Sequence, residues 1–323
     1  LRKVGGDQTV PVTIDKGIEY LEAHLKNRPQ NKNWKDTENL AKWSPPNKDP
    51  ILETKDLVHI YPGDVKALDQ INLKIFEGDF VAIIGQNGAG KTTLAKHFIG
   101  LLKPTNGKVL VEGQDTVNLS AGELARKVGF VLQNPDHQIF AQTVKEEVSF
   151  GPSNLGLSHD EVETRTLDAL KIVGLDDRLE AFPYRLSYGD RRKLSVASIL
   201  SMNPEILIYD EPTTGQDYRG RYQIVEIAKQ LNDQGRTCVM ITHDMNLVAK
   251  YAKRTIVLGL GRILLDGPTS EVFTQVEELA KTYIQPPQVT QLAIGLQKIG
   301  LRPDIITIEE LQRTLKGQYG LEV

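Results

Sequence analysis

Apolar and polar residues alternate in blocks along most of this chain. Short apolar runs recur, among them Phe80-Val81-Ala82-Ile83-Ile84, Ile206-Leu207-Ile208-Tyr209 and Thr237-Cys238-Val239-Met240-Ile241. Each has the length of a buried strand. Mixed stretches between them, such as Leu94 to Ile99, fit helices. From Ile51 to about Pro268 strand-like and helix-like runs alternate, the pattern of an α/β domain. Leu1 to about Arg28 reads as a small helical segment. Pro29 to Pro50 turns polar, with Asn, Lys and a Pro45-Pro46 pair, and reads as an exposed linker. A helical tail follows the α/β block. The expected division is 1–28, 29–50, 51–270 and 271–323.

One junction carries most of the chemistry. The run Phe80–Ile84 leads into Gly85-Gln86-Asn87-Gly88-Ala89-Gly90-Lys91-Thr92-Thr93 and then into a helix-like segment. That loop fits G-x-x-x-x-G-K-[ST] at every fixed position, in the strand–loop–helix context the motif needs. Its glycines let backbone N–H groups close around phosphate oxygens at the positive end of a helix dipole. Lys91 is placed to reach the β- and γ-phosphates and Thr92 to ligate Mg²⁺. The run Ile206–Tyr209 ends in Asp210 and Glu211. Asp210 can hold Mg²⁺ opposite Thr92, and Glu211 is better placed to take a proton from an attacking water. His243 follows the Thr237–Ile241 run, at the strand end where open α/β sheets bind ligands.

Composition bounds the rest. The 323 residues allow one large or two modest domains, and 25% charged with 40% hydrophobic residues is ordinary for a globular protein. A net charge of −3 leaves no electrostatic footprint for nucleic acid. The single cysteine, Cys238, excludes an internal disulfide framework, fits a reducing cytoplasm and reads as a buried strand residue. No apolar run approaches the roughly 20 residues of a membrane span, and the N-terminus lacks the apolar centre of a signal peptide. The chain begins at Leu1, so a longer parent protein is expected.

With these landmarks in order, the chain resembles the nucleotide-binding subunit of ATP-binding cassette (ABC) proteins from about Ile51 to Pro268. The resemblance implies a P-loop fold with a mixed sheet, an antiparallel β subdomain and a helical signature subdomain at about 134–200. It assigns Tyr61 to adenine stacking, and Gln133 to linking Mg²⁺ and water with a transmembrane partner. Leu186-Ser187-Tyr188-Gly189-Asp190 stands in place of the signature LSGGQ, Asp217 ends the loop after Glu211-Pro212, and His243 is the switch histidine. In the family two cassettes dimerise head to tail around ATP, so Ser187 and Gly189 are expected to touch the γ-phosphate held by a second cassette. Tyr188 replaces a glycine and Asp190 the glutamine. Either the side chains point away, with Arg191, Arg192 and Lys193 offsetting the charge, or this signature serves a weaker site in an asymmetric pair.

Gln133 through Pro152 is similar to the cobalt-type ATPases of energy-coupling factor importers of vitamins and transition-metal ions. That resemblance implies a short helix around Asp136 to Phe140 beside a groove for a transmembrane T component. It also implies a separate solute-binding membrane component and a peripheral place on the cytoplasmic face. The tail looks like the subfamily's C-terminal extension. Val12-Thr13-Ile14-Asp15 with Leu21 echoes Ile306-Thr307-Ile308-Glu309 with Leu315, as if the N-terminus closed a preceding copy in a tandem fusion. Other readings remain: an ATPase of a conventional ABC transporter, a soluble ABC protein on ribosomes or DNA, or a regulatory cassette that binds ATP without turnover. The last is opposed by Glu211. The ribosome or DNA reading lacks the long insertions, zinc-binding cysteines or basic arms such proteins carry.

Overall fold

The computed structural model describes residues 13–31, 34, 43–215 and 218–321. In chain order, α1 (Ile14–Leu25) precedes β1 (Leu52–Tyr61), β2 (Val65–Ile75), β3 (Phe80–Ile84) and α2 (Lys91–Phe98). Then come β4 (Asn106–Val111), β5 (Gln114–Asp115), α3 (Ala121–Lys127), β6 (Val128–Val131), α4 (Val144–Asn154), α5 (His159–Val173) and α6 (Tyr188–Leu200). The rest are β7 (Ile206–Asp210), α7 (Tyr218–Asp233), β8 (Thr237–Ile241), α8 (Met245–Tyr251), β9 (Arg254–Gly259) and β10 (Arg262–Pro268), followed by helices α9 (Thr269–Val272), α10 (Val276–Ala280), α11 (Gln288–Gly295) and α12 (Ile308–Tyr319). No helix among the described residues is long and apolar enough to cross a membrane.

The chain forms two compact units. The larger, Pro45–Asp244 with Ile256–Leu264, holds every residue singled out for nucleotide chemistry. Its main sheet runs β10-β9-β3-β8-β7-β6, and β3, β8, β7 and β6 are mutually parallel. Strands β3, β7 and β8 are buried at every position, which is why they read as unbroken apolar runs rather than as alternation. Parallel pairing brings the C-terminal ends of β3, β7 and β8 to one edge, where such sheets bind ligands. A second, antiparallel sheet of order β2-β1-β4-β5 shares the core, with Leu52, Leu57, Leu73, Ile83, Leu94, Phe98 and Ile208 in one cluster. Helices α4, α5 and α6 pack against one another. Capping boxes start α4 at Thr143 with Glu146 and α5 at Ser158 with Glu161. These are the mixed sheet, antiparallel sheet and helical block implied by the resemblance.

The smaller unit gathers the described residues up to Ser44, Met245–Thr255 and the chain from Leu265. Its core joins Leu21 and Leu25 of α1 to Leu292 and Leu296 near α11 and to Leu311 and Leu315 of α12. Thr13 caps α1 and Thr307 caps α12, so both members of the sequence echo start helices. Close approach of α1 and α11 uses small residues: a methyl on Gly295 would stand 2.3 Å from Ile18 Cδ1. The segment expected to be an exposed linker begins as part of this unit. Gln30 donates to the Ile299 carbonyl at 2.7 Å, and the Asn31 N–H donates to the Gln318 carbonyl at 2.9 Å. Gln30 and Asn31 remain exposed while making these bonds, and the Trp34 ring lies against Gly317. Residues 32–33 and 35–42 lie outside the described residues.

At Gly129 in β6, an added methyl would meet Ile199 Cγ2 at 2.3 Å and Pro204 Cγ at 2.8 Å. Overpacking of that kind costs about 1–3 kcal/mol. Gly129→Ala therefore lowers the urea midpoint of the larger unit by the corresponding amount, and an unchanged midpoint would show that the seam between β6 and α6 yields freely.

Candidate nucleotide site

Strand β3 ends at Ile84 and α2 starts at Lys91, so the glycine loop bridges a strand end and a helix start. Gly90 caps α2 in the left-handed region, φ 101°, and a Cβ there would lie 2.6 Å from the Ala67 carbonyl oxygen. At Gly85 a Cβ would lie 2.3 Å from the Leu258 carbonyl oxygen. Neighbouring backbone presses on the loop at both places, so side chains are excluded. Lys91 is buried, and its ammonium donates to the carbonyls of Gly85 at 2.7 Å and Gln86 at 3.1 Å. Burial depresses its pKa, and the charges of Glu211 and Asp210 oppose that. Tyr61 is half-buried, its hydroxyl 3.2 Å from Thr93 Oγ1 and its ring edge-on to His59. The hydroxyl contact adds to the stacking face that sequence reasoning expected.

Thr92 donates to Asp210 Oδ2 at 2.9 Å, and the other carboxylate oxygen, Oδ1, is buried without a hydrogen-bond partner. Burial raises the Asp210 pKa against the pull of Thr92 and Lys91. An orphaned anionic oxygen beside a hydroxyl is what a divalent cation would satisfy. Among the described residues no group of three or more His, Cys, Asp and Glu could hold a metal. A cation here would take its remaining ligands from phosphate oxygens and water, as Mg²⁺ does.

Glu211 follows β7 with a left-handed backbone, φ 46°, and its N–H donates to the Ile241 carbonyl at 2.8 Å. For a glutamate this conformation costs about 1–3 kcal/mol and persists only where surroundings impose it. Its Oε2 accepts from His243 Nδ1 at 2.8 Å, while the His243 side chain is 70% exposed. Burial raises the Glu211 pKa, and His243 draws it back down. Lys91, Thr92, Asp210, Glu211 and His243 thus meet along the edge formed by β3, β7 and β8.

Gln133 is exposed, and its carbonyl accepts from Arg192 at 2.5 Å. Beyond it the expected helix at Asp136 to Phe140 is only a single 3-10 turn, Pro135–His137. The Asn134 side chain caps it, and buried Glu147 then takes the N–H groups of Phe140 and Ala141, both at 2.9 Å, pulling the chain out of helical course.

Ser187 N-caps α6. Its hydroxyl accepts the Asp190 N–H at 3.1 Å and donates to Asp190 Oδ2 at 2.9 Å. The Tyr188 ring lies against Gly215, whose added Cβ would be 3.1 Å from Tyr188 Cε1. The ring is thus directed to the loop after Glu211 in its own chain. Of the three following cations, Lys193 pairs with Asp190 at 3.6 Å, Arg191 pairs with Asp136 at 2.9 Å, and Arg192 enters the interior. Only Lys193 offsets the Asp190 charge, which corrects the expectation for all three. Asp217 lies outside the described residues. Sequence reasoning missed Glu147 and the interior course of Arg192, because both depend on partners distant in the chain.

Comparison with known proteins shows the family. Residues 68–214 match the family model described as ABC transporter. An energy-coupling factor transporter ATP-binding protein EcfA from Methanoculleus marisnigri is 41% identical over 271 residues, 83% of this chain and 98% of the relative. A relative named as an ABC transporter ATP-binding protein, from Caldanaerobacter subterraneus subsp. tengcongensis, is 44% identical over 263 residues. That match takes in 81% of this chain but 45% of the relative, and one from Methanosarcina acetivorans also matches over 45% of its length, so the chain spans about half of these proteins. Among solved structures, cbiO1 from Clostridium perfringens, part of the ABC transporter complex cbiONQ, superposes with a TM-score of 0.66 at 33% identity. It covers 78% of this chain and 98% of that one. A dimeric ATP-binding cassette bound to ADP and Pi aligns with a TM-score of 0.61 at 31% identity, covering 68% of this chain and 98% of its own.

A base must be ionised to accept a proton, so with Glu211 as the proposed base turnover falls as pH drops through its raised value. The acid limb of the kcat/KM profile, which reports the free enzyme, accordingly lies above the ordinary glutamate range. Replacing His243 removes a contribution that lowers this pKa, so His243→Ala shifts the limb to higher pH. Steady-state kcat/KM at limiting ATP measures it, and a limb that stays put or moves down would separate His243 from the Glu211 ionisation.

Proposed function

Because the chain belongs to the ABC transporter ATP-binding family, we propose that it hydrolyses ATP to drive an energy-coupling factor type importer. The observation that carries the reading is the meeting of Lys91, Thr92, Asp210, Glu211 and His243 at one sheet edge. Lys91 and the loop N–H groups hold the β- and γ-phosphates, and Tyr61 offers its ring to adenine. Thr92 and Asp210, and Gln133 by the family resemblance, would hold Mg²⁺, which would neutralise charge developing on the phosphates. Glu211 accepts a proton from water as the water oxygen bonds to the γ-phosphorus and the bond to the ADP oxygen breaks. His243 keeps the carboxylate ionised and oriented. Ser187 and Gly189 serve the nucleotide held by a second cassette, and Asp217 is a further nucleotide-binding residue.

The membrane partner docks, on this reading, beside the Gln133 loop. A cavity of about 360 Å³ there is lined by Phe140, Phe150, Gly151, Leu155 and Met202 together with Gln138. Phe140 and Phe150 are 57% and 50% exposed and meet edge to face at 4.7 Å. Exposed apolar rings around a concave apolar wall suit a helix of a membrane protein. The occupant is a coupling helix of the T component, with a further membrane component binding a vitamin or transition-metal ion. This places the chain on the cytoplasmic face, held peripherally. The relative named EcfA and the likeness to cbiO1 support this over a conventional ABC transporter. Copurification from gently solubilised native membranes tests it. A polytopic protein and a small membrane protein should accompany the chain, with Phe140→Arg cutting their recovery about tenfold or more. Ribosomes or nucleic acid in their place would overturn the transport role.

We also propose that the chain is the second cassette of a tandem protein. The helix α1, capped by Thr13 as α12 is by Thr307, packs against the C-terminal extension as the end of a preceding copy would. Relatives roughly twice as long support it. The parent gene should encode another phosphate loop upstream of Leu1, and a gene without one would sink the fusion.

A further inference from the structure

Arg192 lies one turn into α6 and is 1% exposed, yet its hydrogen bonds all go to backbone carbonyls. Nη1 donates to Leu132 at 2.6 Å and Gln133 at 2.5 Å, and Nη2 donates to the Glu211 carbonyl. A buried charge needs its donors met; the two terminal nitrogens are, while the buried Nε has no hydrogen-bond partner. Here the guanidinium joins the helix led by Ser187 to two loops at once. One loop leads into the cavity wall, and the other presents the candidate base.

The link continues on the cavity side. The Leu132 peptide is held from both ends: its carbonyl by Arg192, and its N–H by Gln138 Oε1 at 3.3 Å. Gln138 lines the cavity, and its Nε2 donates to the Ser195 carbonyl at 2.6 Å and to Ser198 Oγ at 3.0 Å, both on α6. The Ser195 hydroxyl donates back to the Arg192 carbonyl at 2.8 Å. On the catalytic side, the left-handed Glu211 is pinned by its N–H on Ile241 and by its carbonyl on Arg192. From cavity wall to Glu211 the connection runs through Gln138, the Leu132 peptide and Arg192 without a gap.

We propose that Arg192 is a positioning residue for ATP hydrolysis, holding the Glu211 backbone in its left-handed turn and passing displacement of the cavity wall to the Glu211 carboxylate. The inference rests on reading Glu211 as the base and the cavity as the docking site. A residue serving stability alone would, when replaced, lower melting temperature without separating kcat from KM, and without depending on Gln138. Physical adjacency shows a route; coupling must be measured.

The experiment is a double-mutant cycle on the full chain, with Arg192→Met, Gln138→Ala and their combination, and with Arg192→Lys as the conservative variant. Arg192→Met should lower kcat about tenfold or more while KM for ATP stays within about twofold, because Arg192 does not touch the phosphate loop. Arg192→Lys keeps a donor and the charge and should recover part of kcat. Gln138→Ala should lower kcat severalfold alone and add little to Arg192→Met, a non-additivity expected of neighbours acting through one path. Additive effects, or kcat and KM worsening in proportion to lost melting temperature, would overturn the proposal. If Arg192→Met does not fold, the cycle is run with Arg192→Lys against the same criteria. A full-length protein, with both cassettes present, that turns over no ATP would sink the ATPase reading by itself. Amide exchange across residues 207–214 then reads the link. Gln138→Ala should speed it about tenfold in the wild-type background and not in Arg192→Lys, and equal effects in both would overturn it.

Discussion

Burying Lys91, Asp210 and Glu211 together at and beyond the ends of the parallel strands β3 and β7 is the constraint around which this structure is arranged. Desolvation pushes each toward its neutral form, the lysine pKa down and both carboxyls up. Attraction among them, with Lys96, Arg192 and His243 adding to it, opposes the desolvation without reversing it. A polyanion accompanied by a divalent cation supplies what each group lacks: oxygens for Lys91 and positive charge for Asp210. The site is therefore shaped for a metal–phosphate pair more than for either alone. That follows from charge and burial at these residues, independently of any motif.

The scaffold answers the constraint in backbone terms. Carboxylates from β7 can approach a loop after β3 only if the strands run parallel and end together, with β8 between them and one residue of register separating success from failure. The loop must then pass between the Ala67 and Leu258 carbonyls, leaving no space for Cβ atoms at Gly90 and Gly85. Glu211 is reached by a turn that few residues adopt willingly. Its left-handed conformation is fixed from outside, by Ile241 on one side and Arg192 on the other. Strain stored at a candidate catalytic residue is thereby countered by hydrogen bonds whose other ends lie in different elements.

How much of this was legible in the sequence depended on distance along the chain. The phosphate loop was, because nine consecutive residues specify strand end, turn and helix start. The acidic end of β7 was also legible, since five wholly buried positions leave an apolar run with a sharp polar stop. The turn at Pro135–His137 was overextended because the agent that ends it, the Glu147 carboxylate, sits in the following helix. The stretch after Pro29 is largely exposed where it is described, as its polarity indicates, while the hydrogen bonds that fasten Gln30 and Asn31 leave no mark in the letters. Tyr188 showed that a substitution in a motif can be recognised without its direction being known. Only the structure turns the ring toward Gly215 rather than toward phosphate.

Arg191, Arg192 and Lys193 show the same limit most sharply. As a sequence they form one basic run, and a run of charge reads as a solvated face that could balance Asp190. On a helix, successive residues point about 100° apart, so three in a row cannot share a face. Lys193 returns toward Asp190, Arg191 reaches Asp136 on the 3-10 turn, and Arg192 is driven inward. An inward guanidinium is acceptable only because loop carbonyls at Leu132, Gln133 and Glu211 converge on it, and those loops are shaped in turn by having it there. Charge, helical phase and unsatisfied carbonyls must agree at once for this position to be basic. None of the three is visible in the run of letters alone, which is why a residue joining the signature helix to the candidate base resembled ordinary surface charge.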